Sequence, residues 1–155
     1  MNNLKLIGIH HISNRIIKPN DAVMFDIDDT LIFTDGRPNI PIIELLYAAS
    51  LKGYKIVIIT AREGTERVIE YTMKQLKEYK IIHDYLGFTS PETKIIMKKK
   101  LPFNFILSVG DMPTDLTGSD HWLNISTFSH NWDMTHTLSL VHPLNESVVG
   151  NRWFW

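Results

Sequence analysis

Short apolar runs that stop abruptly at polar residues dominate the middle of the chain. Each run is too short for a helix and is apolar at nearly every position, as strands covered on both faces of a sheet are. The predicted strands cover residues 22–25, 54–60, 85–89, 103–109 and 121–127.

The intervals between these runs predict helices. An amphipathic helix is expected after Asn39, a candidate N-cap, and a longer one over residues 66–80. A third begins at Ser90 and Pro91, which suit the N-cap and first helical positions. Alternation of strands and helices predicts an α/β fold, a parallel sheet sandwiched by helices and joined by right-handed crossovers.

The two ends of the chain depart from this alternation. Residues 4–17 fit one or two short strands better than a helix, within an N-terminal arm of residues 1–20. An aromatic tail, residues 128–155, carries a further predicted strand at 138–141 and ends in Trp-Phe-Trp. Because aromatic ends are usually docked, we expect the tail to pack on its own domain or, less favoured, on a second copy in a homo-oligomer.

Length and composition set the class of protein. The 155 residues suit a single domain, 1–155, with a core of about 22–127. A formal net charge of -1 gives no global field to attract nucleic acid or membrane, so any such contact would be local. With no cysteine, thiolate chemistry is excluded, and with no signal peptide or membrane-length apolar run a cytoplasmic protein is expected.

Reactive side chains follow the predicted strands. Asp26 and Asp28 come directly after the first strand, and Thr60 ends the second, two residues before Arg62. Open α/β sheets bind ligands at the carboxyl ends of their strands, so these side chains are expected to meet at one edge. Two carboxylates there can share a metal while one attacks and the other handles a proton.

Two later segments add to the same edge. Lys94 lies in the first turn of the third helix, where an ammonium group can neutralise a phosphoryl group and a carboxylate. Gly110-Asp111 and Asp115 follow the fourth strand, and carboxylates are the ligands that Mg²⁺ prefers. Asp120 is a weaker extra candidate.

The Asp-x-Asp-x-Thr-Leu, strand-end Thr, Lys and Gly-Asp-x-x-x-Asp patterns, in this order, resemble the four motifs of haloacid dehalogenase-like (HAD) phosphatases. The resemblance covers about residues 22–127 and implies a Rossmann-like sheet with the first strand at its centre. It implies that Asp26 attacks phosphorus and forms an aspartyl-phosphate, while Asp28 protonates the leaving oxygen and then activates water. It also implies that Thr60 and Lys94 hold the transferring group.

The same resemblance implies a Mg²⁺ cofactor. Asp26, the backbone carbonyl of Asp28 and Asp111 would hold it, and Asp115 would support it directly or through water. The intervals where such proteins insert a cap domain are short here, so an open site with no large cap is expected. The Thr60-Ala61-Arg62 sequence is similar to the 3′-phosphatase domain of polynucleotide kinase-phosphatases, and also to acid phosphatases and deoxyribonucleotidases of the superfamily.

A phosphorylated substrate is therefore predicted, with a weak preference for a nucleotide or nucleic-acid end. Phosphatases of another small metabolite or of a phosphoprotein stay open, and so does a non-catalytic HAD-like binding or assembly module. A response-regulator phosphoacceptor is disfavoured because the second strand ends in Thr60 rather than in an aspartate.

Several residues have two interpretations. Arg62 would either bind phosphate through a bidentate contact or pair with Glu63 or Glu66. The basic run 98–100 is favoured as a solvated helix end over a contact to a phosphate backbone. The pair His10-His11 is favoured as structural rather than metal-binding, and Tyr71 and Met73 as packing residues.

Overall fold

The computed structural model describes residues 1–126 and the backbone of 152–154. The helices are α1 (Asn2–Ser13), α2 (Ile40–Lys52), α3 (Glu66–Glu78), α4 (Lys94–Lys100), preceded by a 3₁₀ turn at Pro91–Thr93, and α5 (Pro113–Leu116). The strands are β1 (Asp21–Phe25), β2 (Lys55–Thr60), β3 (Tyr85–Phe88), β4 (Asn104–Gly110), β5 (His121–Asn124) and β6 (Arg152–Phe154).

The strands form one sheet in the order β5-β4-β1-β2-β3-β6. The first five are parallel, and β1 lies at the centre of these five with β4 and β2 beside it. This order and the intervening helices confirm the predicted Rossmann-like α/β fold.

Alternate residues of the strands face two apolar layers, because successive side chains of a strand point to opposite faces. Val23 and Phe25 pack in the larger layer, which also holds side chains of α1, α2 and α3. Ala22 and Met24 pack in the smaller layer with Met97 of α4. Helices therefore cover both faces of the sheet, as the continuous apolar runs predicted.

The ends of α2 show how local sequence sets the crossover. Gly53 closes the helix with a φ of +105°, a left-handed conformation that glycine adopts without a Cβ penalty. Asn39 occupies the N-cap position, but its side-chain amide donates to the carbonyl of Thr30 at 2.9 Å instead of capping the helix. The predicted N-cap residue therefore ties the start of α2 to the loop that follows β1.

The prediction of short strands over residues 4–17 was wrong, because this segment forms α1. Leu4, Gly8 and Ile12 recur at helical spacing and are buried. A Cβ at Gly8 would lie 2.6 Å from Leu45 and 2.8 Å from Leu123, so the helix approaches α2 and β5 more closely than any other residue would permit. The isoleucines favour a strand locally, and burial of this face outweighs that preference.

The end of the chain joins the sheet. Strand β6 pairs antiparallel with β3 of the same chain, so the backbone of residues 152–154 joins the central sheet. For these three residues this is the favoured placement of the aromatic tail, on its own domain. The predicted strand at 138–141 lies outside the described residues. Within residues 1–126 the intervals after β1 and β2 hold only loops and one helix each, with no cap domain, and no helix is long and apolar enough to cross a membrane.

If α1 is part of the core, Ile12→Ala should lower the free energy of unfolding by about 2–5 kcal/mol, because a fully buried side chain leaves a cavity. Ile16→Ala is the matched control, since Ile16 is 88% exposed and should change stability by less than about 0.5 kcal/mol. Urea denaturation measures both variants. Equal, small effects would show that α1 adds nothing to the stability of the core.

Candidate active site

The carboxyl ends of the parallel strands bring the predicted residues together. Asp26 directly follows β1 and donates its backbone N–H to the carbonyl of Val109, at the end of β4, at 3.0 Å. Thr60 is the last residue of β2, and Asp111 directly follows β4. The site therefore lies where the central strand and its two neighbours end.

A buried lysine connects two of the aspartates. The Nζ of Lys94 donates to Oδ1 of Asp26 at 3.0 Å and also to Oδ1 of Asp115. All three side chains are at least nine-tenths buried. These residues come from three separate elements, so the ion pairs tie β1, α4 and α5 together at the strand ends.

Burial and like charges shift the titration of this cluster. Burial raises the pKa of Asp26 to about 6, against the opposing pull of Lys94. Burial, followed by the charge of Asp26, raises the pKa of Asp115 to about 6, and burial also raises the pKa of Asp111. Burial acts to lower the pKa of Lys94, but Asp26 and Asp115 outweigh it and the pKa is raised.

Asp115 has the character of a positioning residue. Its Oδ1 accepts from Lys94, and its Oδ2 accepts from the backbone N–H of Met112 at 3.1 Å. A Cβ at Gly110 would overlap the Asp115 side chain, so only glycine leaves room for this carboxylate. The Gly-Asp-x-x-x-Asp pattern thus serves a close approach as well as charge.

The donor set fits a hard divalent cation. One carboxylate oxygen from each of Asp26, Asp111 and Asp115 can be chosen so that all lie within 4.8 Å of one another. Lys94 pairs with only two of these three carboxylates, so the cluster carries an excess of negative charge when all are ionised. Oxygen ligands and this excess suit Mg²⁺, with Asp26 and Asp111 more available than the doubly bonded Asp115.

The carboxylate of Asp28 lies outside this cluster. Arg62 binds it with two bonds, from Nε at 3.1 Å and from Nη2 at 2.8 Å. The Asp28 side chain is 56% exposed, whereas that of Arg62 is 14% exposed. Of the two predicted interpretations of Arg62, an ion pair does form, but its partner is Asp28 and not Glu63 or Glu66.

Helix α3 holds Arg62 from the other side. The Nη1 of Arg62 donates to Oγ1 of Thr72 at 3.0 Å and to Oε1 of Gln75 at 2.9 Å. The guanidinium carbon lies 5.9 Å from the centre of the Tyr71 ring. The prediction that Tyr71 and Met73 are packing residues was wrong, since they are 61% and 42% exposed.

The local sequence pattern did not predict Thr72, Gln75, Asp29 or Thr34 as residues of the site. Asp29 has a φ of +57°, and its Oδ1 accepts from the backbone and hydroxyl of Thr34, at 2.9 and 2.6 Å. These bonds shape the turn that carries Asp28. The positive φ had a weak signal in the sequence, because Asp tolerates this conformation better than most residues.

Thr60 lies at the predicted strand tip but is fully buried. Its Oγ1 accepts from the backbone N–H of Arg62 at 3.2 Å. The hydroxyl thus shapes the turn that presents Arg62.

The basic run 98–100 divides. Lys99 and Lys100 are exposed, as predicted for a solvated helix end, whereas Lys98 is buried, contrary to that prediction. Its Nζ donates to the hydroxyls of Ser108 and Ser119 and to the carbonyl of Thr117. Burial lowers its pKa to about 7.

Asp120, His11 and His121 lie away from the site. Asp120 precedes β5 and donates its backbone N–H to Phe105 near the start of β4, at the opposite edge of the sheet. His121 stacks on His11 with ring centres 4.2 Å apart, in keeping with a structural role for the His10-His11 pair. Asp120 is therefore too remote to join the carboxylate cluster.

Comparison with known proteins shows a likeness in fold. A scan against protein-family models and a search of curated proteins both find no match. Among solved structures, a chain of the "Pnkp1/Rnl/Hen1 complex" is similar, with a TM-score of 0.53 and 23% sequence identity. The match covers 66% of this chain and 43% of that one, so the present chain spans less than half of its length. At this identity the likeness shows a shared fold.

The raised pKa of Asp26 predicts a pH dependence of stability without metal. In the unfolded chain Asp26 ionises near its ordinary pKa of about 3.9, but in the folded protein it ionises near 6. The folded state therefore retains a proton between these values and loses stability as pH rises through this window. Asp26→Asn should thus become increasingly more stable than the wild type from pH 4 to 6.

Urea denaturation in the presence of a chelator measures this difference, and Asp120→Asn is the control at an exposed site. A stability difference for Asp26→Asn that is constant with pH would contradict the raised pKa.

Proposed function

We propose that this protein is a HAD-type phosphomonoester hydrolase that depends on Mg²⁺ and acts through an aspartyl-phosphate. The observation that carries the proposal is the buried Lys94 between Asp26 and Asp115 at the end of the central strand. Burial of two aspartates and a lysine is costly, and function is a common reason for retaining such a cluster. The shared fold of the Pnkp1/Rnl/Hen1 chain agrees with this proposal.

In the first step an Asp26 oxygen attacks phosphorus. Lys94 engages Oδ1 of Asp26, which leaves Oδ2 for the attack. The bond from phosphorus to the leaving oxygen breaks, and this oxygen takes a proton from Asp28. At neutral pH most of Asp26 is ionised because its pKa is about 6, so the nucleophile is available.

In the second step a water oxygen attacks the phosphorus of the aspartyl-phosphate. Asp28 accepts the proton of this water, the bond between phosphorus and Asp26 breaks, and inorganic phosphate forms. The exposure of Asp28 at the mouth of the site suits both proton transfers, since a leaving group and a water can both reach it.

Asp26, Asp111 and the backbone carbonyl of Asp28 would hold Mg²⁺, with Asp115 behind them. When bound, Mg²⁺ would neutralise the charge of the carboxylates and of the transferring group. Lys94 supplies further positive charge from the buried side. Thr60 and Arg62 are proposed to bind phosphoryl oxygens, with Arg62 exchanging its bidentate contact to Asp28 for one to the substrate.

The proposed substrate is a phosphomonoester on a nucleotide or a nucleic-acid end. An open site with no cap in the described residues suits a large or polymeric substrate, and Arg62 at its mouth suits a phosphate. The alternative of a non-catalytic module is disfavoured because every motif position holds a competent residue, and Asp26, Lys94 and Asp115 are in direct contact.

Phosphate release should require Mg²⁺ and Asp26. Asp26→Asn should lower kcat roughly a thousandfold or more, as removal of a nucleophile does, while the isosteric amide preserves the shape of the site. The assay follows inorganic phosphate from an aryl phosphate, from nucleoside 5′- and 3′-monophosphates and from a 3′-phosphorylated oligonucleotide.

Asp120→Asn is the matched control and should retain wild-type turnover, since Asp120 lies at the opposite edge of the sheet. Wild-type turnover by pure Asp26→Asn would remove Asp26 as the nucleophile. Absence of release from every substrate by folded protein that binds Mg²⁺ would favour the binding module.

Mg²⁺ alone should stabilise the fold, because the cation relieves repulsion among buried carboxylates. At a hundredfold excess over Kd the stabilisation is about 2.7 kcal/mol, visible as a rise in Tm. Asp111→Asn should abolish most of this rise, whereas Asp120→Asn should keep it. A full rise in Asp111→Asn would place the cation elsewhere.

A further inference from the structure

An exposed aromatic ring lies beside the site arginine. Tyr71 projects from α3 and is 61% exposed, and its ring lies 5.9 Å from the guanidinium carbon of Arg62. The same guanidinium binds Asp28. One side chain thus separates this ring from the proposed acid–base group, which places the ring at the mouth of the site.

Cations flank this ring along α3. Arg67 precedes Tyr71 by four residues and Lys74 follows it by three, so all three share one side of the helix. Arg67 and Lys74 are exposed. Gln75, which holds Arg62, lies one turn beyond Tyr71 on this side. An aromatic ring interleaved with cations is the pattern that binds a nucleic-acid strand through its bases and backbone.

We propose that Tyr71 is a stacking platform for the nucleobase next to the scissile phosphate, and that Arg67 and Lys74 contact the following backbone phosphates of a polynucleotide. This inference rests on the proposed function and names its substrate class. Arg62 lies between Tyr71 and Asp28, where it can hold the phosphoryl group while the base stacks on Tyr71.

A cleft lined by Arg62 offers no aromatic surface for a base. It has a volume of about 290 Å³ and is lined by Arg62 with segments 61–65 and 89–90, none of which carries an aromatic side chain. Recognition of a flat base therefore falls to Tyr71.

The kinetic experiment compares Tyr71→Ala and Tyr71→Phe with the wild type on three substrates: glycerol phosphate, a nucleoside 3′-monophosphate and a 3′-phosphorylated oligonucleotide. In Tyr71→Ala, KM for the base-bearing substrates should rise roughly tenfold relative to KM for glycerol phosphate, the loss of one base stack. Tyr71→Phe should restore the wild-type ratio, because stacking needs the ring and not the hydroxyl.

Met73→Ala is the matched control. Met73 is an exposed side chain of the same helix that lines a different cleft, with Leu76 and Ile82. This variant should leave all three KM values unchanged. An equal rise in KM for glycerol phosphate in Tyr71→Ala, or no rise for any substrate, would overturn the stacking role while leaving the phosphatase intact.

Charge variants separate a polymer from a mononucleotide. Arg67→Ala and Lys74→Ala should raise KM for the oligonucleotide alone and lower its salt dependence, because each removes one phosphate contact. If these two variants change KM for neither the nucleoside monophosphate nor the oligonucleotide, while Tyr71→Ala raises both, the proposed backbone contacts are overturned. The substrate class is then a mononucleotide.

A binding measurement does not depend on turnover. In the Asp26→Asn background, fluorescence anisotropy of a labelled oligonucleotide should show a roughly tenfold weaker Kd when Tyr71→Ala is added. Unchanged affinity would overturn the proposal. Loss of affinity together with absence of phosphate release by the wild type would keep the platform and reject the phosphatase.

Discussion

The contact between Lys94 and two buried aspartates is the interaction on which the site depends. Its bonds join residues 68 and 21 positions apart in the chain, so no single segment can form them. Because an unpaired buried charge is costly, loss of Lys94 would leave both buried carboxylates without a cationic partner. The same contact fixes the orientation of Asp26, which ends the central strand, and so links the stability of the fold to the geometry of its proposed nucleophile.

The backbone brings more acidic than basic side chains to this edge of the sheet. Gly110 lets Asp115 approach β4, and Asp26 and Asp111 follow neighbouring strands, so three carboxylates converge while Lys94 pairs with two of them. Burial raises the pKa of all three acids, which measures how poorly this place tolerates their charge. A divalent cation and a phosphoryl group are complementary to such a site because the cation can compensate the acids while Lys94 and Arg62 compensate the phosphate.

The two lysines of α4 show how neighbouring turns of one helix serve different ends. Lys94 points to the carboxylates, whereas Lys98 is held by Ser108, Ser119 and a backbone carbonyl. Burial without an ionic partner lowers the pKa of Lys98, whereas burial with two such partners raises that of Lys94. Arg62 forms the second link of the site, since it joins Asp28 to α3 and brings Tyr71 to the mouth.

The sequence by itself determined the strands, their alternation with helices and the identity of the polar residues at the strand ends. These follow from short continuous apolar runs and from the abrupt changes of polarity that end them. The helix over residues 2–13 was not predicted, since its isoleucines locally favour strands. Burial of Leu4, Gly8 and Ile12, with Gly8 packed against α2 and β5, decides the helix in the folded protein. The partner of Arg62, the burial of Lys98 and the exposure of Tyr71 were likewise decided only by tertiary structure. Each depends on a group far away in the chain, and a local pattern contains no record of which distant group will be adjacent.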